Sequence, residues 1–410
     1  MLVTTTYTDD SRVRRAAERL AAEGHDVHIV CTYPIDGARG QEPAPGPVTV
    51  HRVALRARDV PTAIAGRLRA AARWSRSAST RLTTSTGAAK GSSTTTLVRA
   101  IASPLLLVYR AALSRKMLAT ARSIHPDYVH AHDPDTLSAA GALSHQRLPL
   151  IYDAHELTTG RSDVFRWERW LDARRERRWI PHAHCVITVS PGIADILAKR
   201  HRVRPIVVRN VPHARRLDPP PYDLRDATAI PEDSRIVIHQ GQRAPHRGLE
   251  NLIRALQDLQ DTHLVLLGSA VRGIDRDLRR IGSSTGVTGR VHFLPPVPSE
   301  HLLSVTAQAD LGVTLLQDVS LNHRLALPNK LFEYLLAGLP VVASDLPEIR
   351  RVLEACAGGT LCDPDDPSSI AQAIASTRSR PDARRVPNAD EELQRLVDCY
   401  SSLAGSRQPK

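Results

Sequence analysis

The most specific stretch of this sequence runs from Leu325 to Ser344, and Pro328-Asn329-Lys330-Leu331-Phe332-Glu333-Tyr334 carries its charge. Pro328 and Asn329 open a helix, Gly338 stops it, and Pro340 to Ser344 reads as a buried strand behind it. A helix start presents unpaired backbone N–H groups and a positive dipole end, which suits a diphosphate. Glu333, one turn further in, can accept hydrogen bonds from two vicinal hydroxyls such as those of a ribose; taken alone, it reads more simply as a solvated helix carboxylate. A second cluster, His239 to Glu250, follows a predicted strand and opens a helix, so Gly241, Arg243 and Arg247 fall in a loop at the strand's carboxyl end. Guanidinium groups placed there can clamp phosphate oxygens in a fork. The plain alternative for that loop is a basic surface turn.

Two further clusters lie in the first half. Asp127 to Asp135 brings His132 and Asp133 to the end of a predicted strand, and Leu150 to Glu156 does the same with Asp153, His155 and Glu156. A lone histidine is usually structural, but two strand-end clusters aimed at one cleft are candidates for catalysis or binding. Asp133-Pro134-Asp135 also has a spacing that would suit Mg²⁺.

Positioning such residues at strand ends requires parallel sheets, and the pattern supplies them. Short β-branched runs alternate with helix-length amphipathic segments, the signature of sheets with crossover helices. Strands are expected near 2–5, 27–31, 48–54, 127–131, 149–153, 184–189 and 205–208. A second series is expected near 235–240, 263–267, 290–294, 311–315, 340–344 and 359–362, after the break at Pro219-Pro220-Pro221. A helix over 12–23 ends at Gly24. The expected architecture is therefore α/β: two Rossmann-like doubly wound parallel-sheet domains, 1–213 and 214–384, facing across a cleft, with a final segment 385–410 crossing back to the first. At 410 residues two domains are the natural division.

With these motifs together, the chain resembles the retaining family-four glycosyltransferases (glycosyl transferases group 1), whose fold is GT-B, from Tyr7 to Tyr400. The resemblance places Glu333 on the donor ribose, ahead of a Gly-x-Pro-Val-Val strand. The family's other glutamate, eight residues earlier, is here Leu325; Lys330 and the backbone near Pro328 and Asn329 face the donor instead. The 239–250 loop is similar to the one whose two cations neutralise the departing nucleoside diphosphate: Arg247 takes the lysine's place, Gln242 the arginine's, and Arg243 comes one residue later. By the same resemblance the backbone around Leu294 and Pro295 reads the base, and Gly268 closes the turn lining the nucleotide. His132 faces the transferred sugar and the acceptor, and Asp133, Asp153, His155 and Glu156 line that side. The resemblance implies transfer, with retention, from a nucleoside diphosphate sugar, uridine foremost, to a glycan, polyprenyl-phosphate-linked or small-molecule acceptor. The donor would belong to 214–384 and the acceptor to 1–213. No cofactor and no metal are implied, since cationic side chains and a helix end replace the ion. Thr8 to Val13 stands where many members have a glycine-rich loop.

Composition bounds the remaining partners. The formal charge is +12, and between Asp59 and Asp127 there are eleven Lys or Arg and no acid. This field favours phosphate-bearing partners, and the basic amphipathic run Pro61 to Arg76 suits an anionic membrane surface, so contact through 61–122 is one expectation and a solvated basic loop the other. Residues 78–97 are small, polar and aperiodic, a mobile loop. The five cysteines lack metal-ligand spacing and read as reduced. With no secretory pattern and no apolar run of spanning length, a cytoplasmic enzyme is expected, with peripheral contact at the inner membrane face as its variant. Two competing readings are a nucleotide-sugar epimerase or hydrolase of the same architecture, and a non-catalytic polyanion-binding protein. Nucleic acid is not an expected partner, because the basic segment is poor in aromatic residues.

Overall fold

The computed structural model describes residues 1–5, 7, 10–32, 47–54, 92–145, 148–160, 166–214 and 219–405. The run Pro61 to Arg76 and most of the loop expected at 78–97 lie outside them, as do Thr8 and Asp9. By internal contacts the chain forms two compact units: Met1–His155 with Trp170–Val186 and Leu403–Lys410, and Glu156–Arg169 with Ile187–Ser402.

In the first, β1 (Val27–Thr32) and β2 (Val48–Val53) pair in parallel. A second parallel sheet runs β3 (Val129–His132), β4 (Leu150–Ala154), β5 (Cys185–Thr188) and β6 (Ile206–Val207), in that order, and the second unit begins within β5. The strand expected at 2–5 is reduced to Leu2, which bridges Val30 of β1 and Ala131 of β3. Its amide donates to His130 O and its carbonyl accepts from His132 N, so this one residue fixes the exit of β3, where the polar cluster sits. The helix Ser11–Ala22 comes next, capped by Asp10 through Val13 N and burying Val13, Ala16, Ala17 and Leu20.

The second unit holds a six-stranded parallel sheet in the order β12-β11-β10-β7-β8-β9. Its strands are β7 (Arg235–Gln240), β8 (Thr262–Leu267), β9 (Val291–Leu294), β10 (Leu311–Thr314), β11 (Val341–Ser344) and β12 (Gly359–Cys362). The direction of winding reverses between β7 and β10, and the carboxyl ends at such a switch point are where ligands bind. Alternate residues of these strands enter opposite cores. Ile236, Ile238 and Ala343 pack with Phe332 and Tyr334 on one face, while Val237, Leu266 and Val342 pack with Leu252 and Ile370 on the other. Burial on both faces is why the strands read as near-continuous apolar runs.

Two expectations are corrected. Residues 92–97 are not loop but the start of the helix Ser92–Ser123, whose later turns bury Leu113, Met117 and Ala121. Cys31, Cys356 and Cys362 are free and buried as expected, whereas Cys185 and Cys399 are disulfide-bonded. Within the basic segment Arg110 pairs with Asp135 at 3.4 Å, and the Lys116 ammonium donates to Ala54 O. Among the described residues no helix is long and apolar enough to cross a membrane.

Candidate functional site

In the second unit the strand ends and one helix bring most of the expected donor residues together. The helix spans Asn329–Leu336 with Pro328 as its cap residue, and Gly338 lies beyond its end with φ +78°, as the sequence predicts. Tyr334 anchors it. Its hydroxyl donates to Val313 O and accepts from Gln240 N at 2.9 Å, and its ring lies where a side chain on Gly312 would be. Lys330 and Glu333, one turn apart, are thereby held at the end of β7. Lys330 Nζ lies 3.0 Å from His239 Nε2, and Gln240 Nε2 donates to Glu333 Oε2 at 2.5 Å.

The turns after β7, β8 and β9 interlock through their backbones. Gly241 N donates to Leu267 O, and Gly268 N donates to Leu294 O. Gly268, at φ +137°, packs so closely that a Cβ there would stand 2.3 Å from Gly241 O. Gly241, Gly268 and Leu294 are therefore neighbours, with the exposed Pro295 beside them. Only glycine allows this close approach.

The electrostatics of this site are unbalanced. Arg247 is half-buried, and burial lowers its affinity for a proton. Among the described residues no carboxylate lies within ion-pair distance of either Arg247 or Lys330. Burial first, and then the charge of Arg247, pull Lys330 down to about 7, with Glu333 opposing only in part. Burial, with Lys330, Arg247 and Arg243, holds His239 well below the ordinary histidine range, so it stays neutral. Arg247, Lys330 and the neutral His239 thus gather at the end of β7 with Glu333 as the neighbouring acid. Arg243 is different and corrects its assignment to the donor. Its guanidinium donates to both oxygens of Asp275 at 2.7 and 2.9 Å and to the carbonyls of Leu266 and Gly268, so it braces the β7 and β8 turns.

The first unit carries a separate constellation at the ends of β3 and β4. Asp153 accepts both Nε and Nη2 of Arg12, at 2.8 and 2.7 Å. His155 lies 3.2 Å from Asp133 through Nδ1, while its Nε2 is 3.2 Å from His132 Nδ1 and 3.4 Å from Asp153. Burial opposes charge on His155, but Asp133 and Asp153 outweigh it and raise it to about 10. His132, wholly buried, is pushed down by burial, which Asp153 offsets only in part. His132 Nδ1 faces both His155 Nε2 and, at 3.4 Å, Asp153 Oδ2, while its Nε2 has no hydrogen-bond partner among the described residues. Burial would raise Asp153, yet Arg12 and His155 hold it well below the ordinary carboxylate range. Asp133 occupies the left-handed region at φ +61°, uncommon for a residue other than glycine.

Sequence reasoning missed Arg12. Its signal was a charged residue four positions before Ala16 on the buried face of an amphipathic helix, which demands a partner. Glu156 does not join this constellation. Its Oε2 accepts from Asn322 Nδ2, whose Oδ1 accepts from Leu157 N, and it belongs to the second unit. His130, His132 and Asp153 offer metal-ligand atoms within 4.8 Å of one another. A cation there would sit against the guanidinium already filling Asp153 and beside a protonated His155, so these residues suit a hydrogen-bond network better than a metal.

Two stretches of the chain match family models. Residues 10–214 match the model of the glycosyl transferase 4-like domain, and residues 234–379 that of the glycosyl transferases group 1. The chain belongs to this glycosyltransferase family. A D-inositol 3-phosphate glycosyltransferase of Xylanimonas cellulosilytica is 27% identical over 45% of the chain and 46% of that protein, so the chain spans about half the length of this relative. In fold it is similar to sucrose-phosphate synthase from Thermosynechococcus elongatus (TM-score 0.70, 18% identity, 96% of this chain and 93% of that one). It is similarly close to Anabaena HepE in complex with UDP (TM-score 0.67, 17% identity, 98% and 99%). The fold of the chain is thus GT-B, with parallel sheets in both of its units.

Proposed function

We propose that this protein transfers a glycosyl group from a nucleoside diphosphate sugar, UDP-linked in the first instance, with retention of configuration, to a saccharide or polyprenyl-phosphate-linked acceptor. The observation that carries the reading is the pair Arg247 and Lys330, two cations without carboxylate partners among the described residues, set beside Glu333 at the switch point of a parallel sheet. A diphosphate satisfies both cations and the helix start at Pro328, and Glu333 then takes the ribose hydroxyls. HepE, of the same fold, is described in complex with UDP, which supports uridine. Catalysis in this reading is electrostatic: Arg247 and Lys330 hold the charge that develops on the departing diphosphate, and no metal is required. In the other unit, His132 presents Nε2 to an acceptor oxygen, with Asp153 and His155 fixing its ring. The basic segment toward residue 122 is assigned to an anionic surface or a lipid-linked acceptor.

A panel of nucleoside diphosphates scored by thermal shift tests the donor. A ligand at one hundred times its Kd stabilises the folded state by about 2.7 kcal/mol, so UDP should raise the melting temperature clearly above its value with uridine alone. Indifference to every nucleoside diphosphate would remove the proposal. Release of free sugar or an isomer at full rate without acceptor would replace it with hydrolysis or epimerisation.

A further inference from the structure

The last residue of β7 is a glutamine with 1% exposure, and each of its polar groups is committed. Gln240 Oε1 accepts from Thr306 Oγ1 at 2.6 Å, and Thr306 stands at the end of the short helix Leu302–Thr306. Its Nε2 donates to Glu333 Oε2 at 2.5 Å, and its backbone N donates to the Tyr334 hydroxyl at 2.9 Å. One buried amide therefore ties the end of β7 to two successive residues of the helix Asn329–Leu336 and to Thr306. A primary amide has a fixed polarity. A carboxylate only accepts, so the amide nitrogen faces Glu333 and the amide oxygen faces Thr306 Oγ1, which also lies 2.6 Å from Leu302 O; one Glu333 carboxylate oxygen is thereby fixed in place.

We propose that Gln240 is a positioning residue that aims the Glu333 carboxylate at the vicinal hydroxyls of the donor ribose, and that it sets the preference of this enzyme for ribose over deoxyribose. Without Gln240 the carboxylate keeps its charge and its place on the helix but loses its direction. The inference rests on the reading of Glu333 as the ribose ligand, and its test separates the two. Kd is measured by calorimetry for UDP and for 2′-deoxy-UDP with the wild type, Glu333→Ala, Gln240→Leu, Thr306→Val and the Gln240→Leu/Glu333→Ala double variant. The wild type should prefer UDP by at least about ten-fold, the scale of one hydrogen bond to a charged group. Glu333→Ala and Gln240→Leu should each bring the ratio of the two constants near one, and the double variant should change it no further. Thr306→Val, which only frees the far end of the amide, should give an intermediate ratio and stands in if Gln240→Leu does not fold. A merely structural role would weaken both ligands equally and leave the ratio at its wild-type value. If Glu333→Ala loses the preference while Gln240→Leu and Thr306→Val keep it, the positioning role is wrong. If Glu333→Ala itself keeps the wild-type ratio, the ribose assignment fails and the proposal falls with it.

Discussion

Lys330 binds its proton weakly because burial and the nearby Arg247 act in the same direction, and that sets a pH dependence for ligand binding. A diphosphate beside the ammonium restores the proton, so binding takes one up wherever the empty protein has lost it. Because the empty-state value is about 7, affinity for UDP should fall as pH rises from 7 to 9, by up to about ten-fold per unit. The nucleotide's own phosphate, with a second ionisation near 6, is by then fully charged. In Lys330→Ala the same titration should be nearly flat, and calorimetry in buffers of different ionisation enthalpy reads the proton directly. Arg247→Ala and Lys330→Ala should each lower turnover by more than about ten-fold if each supplies a charge-assisted contact. Unchanged turnover in both would overturn the assignment. His155 has the opposite sign. Its folded value, about 10, lies above the unfolded 6.5, so its contribution to stability is complete below about pH 6.5 and is lost as pH rises through 10. Melting temperatures of the wild type should therefore decline more steeply between pH 7 and 10 than those of His155→Asn.

Among the elements, the helix Asn329–Leu336 and the strand behind it were the most legible in sequence, because proline, asparagine and glycine mark their ends and the strand is uniformly apolar. The glycine-lined turns after β7 and β8 were legible too. What sequence could not show was closure over distance. Arg12 meets Asp153 across 141 residues and Gln240 meets Glu333 across 93, and no local pattern joins them. Arg243 differs for a related reason, since a loop arginine two residues after a glycine looks available until Asp275, on another element, claims it. Packing of the helix makes its own prediction. A Cβ on Gly312 of β10 would lie 2.3 Å from the Tyr334 ring. Gly312→Ala should destabilise the second unit by about 1–3 kcal/mol, as overpacked cores do, and should weaken UDP binding as well, because Tyr334 carries the helix that holds Lys330. A variant with wild-type melting and affinity would show that the ring does not set the helix in place.

At the scale of the molecule, the residues assigned to the nucleotide all belong to one unit, between β7 and the helix Asn329–Leu336. Hydrogen exchange in the presence of UDP should therefore slow most at 239–248, 267–270 and 328–334, and protection confined to residues 1–155 would contradict the donor assignment. Neither unit is a continuous piece of chain: the first takes in Trp170–Val186 and Leu403–Lys410, the second Glu156–Arg169. Separate expression of 1–213 and 214–410 should accordingly give two polypeptides that each lack part of a unit, with far less helical circular dichroism than the whole protein. The same division bears on synthesis by the ribosome. Both units wait for the helix Ala389–Gly405: the first takes in Leu403, while the second runs to Ser402 and buries Val386 and Ala389 in its core. The nucleotide-holding half therefore cannot close on its strands alone, and a nascent chain should acquire affinity for UDP only after that helix has left the exit tunnel.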